Sequence, residues 1–131
     1  MAFAGGPTMA YAGVFLVALA TLVLEILLTR ITSVVAWYHL AFFVISLAML
    51  GMTAGAVIVF VRPSAFVDAL VPRRATQGCL LLAATAPLAI AVALSIPLEP
   101  ITSTSGFLSM LAYGGALAVP FTVSGVVLTL V

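Results

Sequence analysis

Residues 24–55 read LEILLTRITSVVAWYHLAFFVISLAMLGMTAG, a run apolar enough to lie in a lipid bilayer that nevertheless holds Glu25, Arg30 and His39. These are three of only eight potentially charged side chains in 131 residues. An ionised group at membrane depth costs at least about 2.5–3.5 kcal/mol on insertion scales, so each one marks either packing or function. The run also supplies most of two membrane spans, each of which needs about 20 apolar residues. A short connection around Thr32 to Val35 separates them, leading to the interfacial aromatics Trp37 and Tyr38.

The rest of the chain agrees with this reading. It is 66% hydrophobic and 5% charged, with mean hydropathy +1.44. Soluble domains carry about 25% charged residues, so a water-facing surface cannot be built from this composition. Long uninterrupted apolar runs, without the two-residue alternation of a β-barrel, predict helices. The fold class expected is an all-α integral membrane protein, a bundle of four transmembrane helices in a single membrane domain covering 1–131. A net charge of +1 and the lack of a basic tract exclude nucleic acid as a partner. The lone Cys79 excludes an intramolecular disulfide and a thiolate metal cluster. No HExxH, GxSxG, Walker or CxxC pattern occurs, so zinc, serine and nucleotide chemistries have no support.

The four spans are expected at about 8–31, 36–61, 77–96 and 107–131. The N-terminus has no positive region and no cleavage pattern, so the first run reads as a permanent helix and not a signal peptide. On it Tyr11, Ala18, Thr21, Glu25, Thr29 and Thr32 share a stripe that should face protein. Arg30 lies about 140° around from Glu25, out of reach within one helix, and is expected to snorkel or to meet a neighbour. On the second span His39, Ser46 and Thr53 share one face. Gly51 and Gly55, extended by Ala48, form a GxxxG on roughly the opposite face, suited to close helix packing. SAFVDALV, between the second and third spans, is a candidate short interfacial helix. Pro87 and Pro120 predict bends inside the last two spans.

Arg62, Arg73 and Arg74 crowd into one loop. The positive-inside rule then places that loop and both termini in the cytoplasm, with the cell inner membrane as the location of a multi-pass protein. Glu25, Arg30, Tyr38 and His39 fall toward the outer leaflet as a candidate intramembrane polar or ligand site. The three loop arginines read as topology signals that also meet anionic lipid.

LEILLTR followed by WYHLAFFVISLAMLGMTAG resembles the N-terminal transmembrane region of bacterial spermidine synthase-like integral membrane proteins, in which membrane helices precede a methyltransferase-fold domain. The later VPFTVSGVVLTL is compatible with a fourth helix of that region. The resemblance implies that aminopropyl or methyl transfer would belong to a soluble domain attached at the C-terminus. This sequence has no glycine-rich cofactor loop, and its only acids are Glu25, Asp68 and Glu99. The chain is therefore not expected to be an enzyme. The apolar ending VVLTLV suggests a longer parent protein.

Three functions remain open to the sequence. The first is a non-catalytic domain or small subunit that anchors or organises a larger membrane assembly by helix packing, with lipids, other transmembrane subunits or a C-terminal soluble domain as partners and no cofactor. The second is an accessory subunit of an electron-transfer or photosynthetic complex, with haem or chlorophyll on His39 among Trp37, Tyr38, Phe42 and Phe43. The third is a transport fragment using Glu25 and Arg30. Packing also predicts a contact: if the first two helices are antiparallel neighbours, the Thr21, Glu25, Thr29 stripe meets the His39, Ser46, Thr53 stripe.

Overall fold

A computed structural model describes residues 6–35, 40–96 and 103–130. Among these the chain forms four long helices: α1 (Gly6–Val35), α2 (Leu40–Val61), α3 (Val71–Ser95) and α4 (Thr104–Leu130). All four are long and apolar enough to cross a membrane, and the described residues contain no strand. The fold is an all-α four-helix bundle.

The helix limits follow from local chemistry. α1 carries Pro7 in its first turn, where a missing N–H leaves no bond unmade. Its 30 residues span about 45 Å, so the helix runs beyond the expected Ile31 to Val35. α2 stops because Pro63 disfavours the helical region for the residue before it, and Arg62 sits at φ −119°, ψ 59°. α3 likewise gives way at Ile96, extended at φ −86°, ψ 114° ahead of Pro97. Ser103 caps α4: its hydroxyl oxygen accepts a hydrogen bond from the Gly106 N–H at 3.0 Å.

Two expectations between α2 and α3 are corrected. α3 begins at Val71 and not near Gln77, because Pro72 starts it and Arg73 and Arg74 extend it past the apolar stretch. SAFVDALV forms no single interfacial helix; it breaks into two 3-10 turns, Pro63–Ala65 and Asp68–Leu70, the second leading into α3. Each turn is closed by a backbone bond, Phe66 N–H to the Pro63 carbonyl at 3.1 Å and Leu70 N–H to the Val67 carbonyl at 2.7 Å. Both α3 and α4 continue through their internal prolines, Pro87 exposed and Pro120 buried.

α4 is the hub. It makes the most extensive contacts with α2 and α3 and also packs against α1; α1 in turn touches α2 and α3, whereas α2 and α3 make no close approach to each other among the described residues. The core joins Leu24 and Leu28 of α1, Val44 and Ala48 of α2, Ala89 and Ala93 of α3, and Tyr113, Leu117 and Phe121 of α4. Small residues on α2 and α3 and large ones on α4 let the flanking backbones approach the central helix.

Candidate functional site

The closest packing is the seam between α2 and α4. Gly51 and Gly55 are buried there. A Cβ at Gly51 would come within 2.8 Å of the Phe121 Cβ and 2.9 Å of the Ala118 carbonyl oxygen. One at Gly55 would collide with the Thr122 carbonyl and lie 2.7 Å from the Val126 nitrogen. Gly125 answers from α4: its Cβ would strike the Met52 carbonyl and sit 2.8 Å from the Met52 Cα. Ala48 is buried on the same face of α2. The interface is therefore backbone against backbone, which only glycine permits at these positions. Gly78 of α3 instead makes room for a side chain, the Val127 Cγ2 methyl group of α4.

Between α1 and α4 the contact is polar. Thr21 Oγ1 and Ser124 Oγ lie 2.6 Å apart, and Thr32 Oγ1 and the Tyr113 hydroxyl also 2.6 Å apart, all four side chains buried. Thr21 additionally donates to the Val17 carbonyl at 2.8 Å, which leaves the Ser124 hydroxyl to donate to Thr21. Eleven residues separate Thr21 from Thr32, and eleven separate Tyr113 from Ser124. The two bonds thus fix an antiparallel register about 16 Å long, with Leu28 level with Leu117 and Glu25 level with Pro120.

The predicted stripe on α1 is divided by this arrangement. Thr21 and Thr32 face α4, Ala18, Glu25 and Thr29 are half-buried at its flank, and Tyr11 is exposed. The expected meeting of polar stripes from α1 and α2 does not occur. Ser46 and Thr53 are exposed and donate to their own helix, to the Phe42 carbonyl at 3.0 Å and the Met49 carbonyl at 2.8 Å. The reason is geometric: the glycine face of α2 is committed to α4, so the opposite, hydroxyl-bearing face turns outward. The partners of α1 are Ser124 and Tyr113, two residues that lie among apolar neighbours and carry no periodic signal.

Glu25 is half-buried and Arg30 exposed, and neither side chain makes a hydrogen bond or ion pair with another described residue. Tyr38 and His39 lie outside the described residues, and with them the haem or chlorophyll ligation and the Glu25 to His39 contact. Arg62, Arg73 and Arg74 are exposed at one end of the bundle, where Arg73, Arg74, Gln77 and Leu70 line a polar cleft of about 170 Å³. At the other end, Phe43, Leu47, Phe107, Met110, Leu111 and the Gly114–Gly115 pair line a wholly apolar groove of about 340 Å³ between α2 and α4. Among the described residues no three His, Cys, Asp or Glu side chains come together as a metal ion would need. Comparison with protein-family models, curated proteins and solved structures finds no match to this chain.

Proposed function

We propose that this chain is a non-catalytic membrane domain or small subunit that anchors or organises a larger membrane assembly through helix packing. The observation that carries this reading is the α2–α4 seam, where three glycines bring two backbones together at a spacing no side chain would allow. The two buried hydroxyl pairs on α1 serve the same end. What is built with most care in this molecule is rigidity between helices. The resemblance to the membrane region of spermidine synthase-like proteins fits such a role, with chemistry assigned to a separate soluble domain. The exposed arginines at 62, 73 and 74 orient the bundle with that end in the cytoplasm of a bacterial inner membrane, in contact with anionic lipid.

The test is gentle solubilisation of native membranes followed by native mass measurement and an absorption spectrum. The expected result is a colourless chain recovered in stoichiometric association with a larger protein or domain. Visible absorbance that disappears in His39→Ala would replace this reading with pigment ligation. Proton or solute flux in liposomes that is lost in Glu25→Gln would replace it with transport.

A further inference from the structure

We propose that two copies of this chain pair through parallel α1 helices, with Glu25 of each copy reaching Arg30 of the other. α1 has two faces. The inward one carries Thr21, Leu24, Leu28 and Thr32, all buried. Roughly 145° around the helix lies a second row, Ala12, Phe15, Leu19, Leu22, Ile26 and Thr29, separated by alternating steps of three and four residues. That is the a/d pattern of a coiled-coil seam, sustained here for more than two heptads. The four large apolar members are 46–65% exposed, so the bundle leaves this row uncovered.

Exposed apolar residues alone carry no signal in a membrane, since lipid tails are as apolar as leucine. The edges of the row do carry one. Glu25 directly precedes Ile26 and Arg30 directly follows Thr29, which sets the acid at a g position and the base at the next e position. These residues are about 140° apart on one helix and cannot pair there. Across a parallel pair, g of one helix faces e of the following heptad on the other, and the spacing required is the five residues that separate Glu25 from Arg30. The face is self-complementary, as an isologous two-fold interface demands: each copy offers one acid and one base, and both are matched.

The membrane supplies the orientation. Copies inserted with the same topology are related by a two-fold axis along the membrane normal, so their α1 helices run parallel, the one geometry in which this charge spacing works. It also accounts for two groups that have no side-chain partner among the described residues of the single chain, Glu25 and Arg30, at a depth where an unpaired charge is disfavoured. The inference is independent of which larger assembly the chain belongs to.

The experiment uses the full chain carrying Cys79→Ala, reconstituted in phosphatidylcholine vesicles. Single cysteines placed at each position from Leu19 to Arg30 are oxidised and the dimer is quantified. Cross-linking should peak at residues 19, 22, 26 and 29 and fall at 20, 24 and 28. In parallel, energy transfer between labelled copies should show Glu25→Lys and Arg30→Glu each weakening association by about tenfold, with the double exchange restoring it. A flat cross-linking profile, a peak on the inward face, or a double exchange no better than the singles overturns the proposal. Because the cysteine scan keeps Glu25 and Arg30 intact at every position other than their own, it stands even if a charge reversal blocks insertion.

Discussion

A methyl group added at Gly125 has nowhere to go, because the atoms it would meet are the Met52 carbonyl and Cα, backbone that cannot swing aside. Gly125→Ala should therefore destabilise the bundle by about 1–3 kcal/mol, as overpacking does in close-packed interiors. Gly115→Ala is the matched control: nothing lies within 4 Å of its would-be Cβ, so replacing a helical glycine there should stabilise by about 0.5–1 kcal/mol. Thermal unfolding of the two variants in mild detergent distinguishes them, and equal effects would contradict the seam. The hydroxyl pairs give a second ranking. Tyr113→Phe strands the fully buried Thr32 hydroxyl and should lower stability by about 0.6–1.7 kcal/mol, from the average to the largest value measured for bonds between membrane helices. Ser124→Ala should do less, since Thr21 retains its bond to the Val17 carbonyl. At this scale the sequence is legible where glycines recur at helical spacing, as at Gly51 and Gly55, although Gly115 shows that a glycine on a span need not meet a neighbour. It is silent on Ser124 and Tyr113, whose roles depend on which threonine arrives opposite them.

At the scale of the element, the existence and number of helices can be read from hydropathy, because about 20 apolar residues have one way to satisfy their backbone in lipid. How each helix is rotated is harder to read. α2 bears a glycine face and a hydroxyl face, and either could have turned inward on polarity or on size. Size decided it: serine and threonine satisfy themselves on their own carbonyls, as Ser46 and Thr53 do, whereas glycine is useful only against a neighbour. α3 follows the same rule in part: Ala75, Gly78, Ala89 and Ala93 are buried, with the larger Val71 and Leu82 in the same row. The rotation of α3 is checked by another pair of variants. Ala93→Leu, at a position with no exposure, should destabilise by about 1–3 kcal/mol, while Ala91→Leu, on the exposed side, should be close to neutral. Comparable losses would mean that α3 is turned differently.

For the whole molecule, charge should set orientation. With Arg62, Arg73 and Arg74 at one end, a single cysteine at Ser64 in a Cys79→Ala background should react with an impermeant thiol reagent only from the cytoplasmic side, and one at Ser103 only from the opposite side. Labelling in the reverse sense would invert the topology. The sequence offers this expectation because arginine counts are local, but it does not convey that α4 is the hub, a property of contacts between segments far apart in the chain. That central position has a consequence in time. A ribosome delivers α1, α2 and α3 into the membrane, with α1 able to pack on both of the others, before the helix that makes the tightest seams with α2 and α3 has been made. Until α4 emerges, Gly51 and Gly55 on one side and Gly78 on the other present bare backbone to lipid, and α2 and α3 have no direct hold on each other. Completion of the bundle therefore waits on the last span: a nascent chain halted before Thr104 can pack α1 on α2 and α3 but should stay more sensitive to protease than the full chain, and reach its compact form only when α4 is supplied, even as a separate segment.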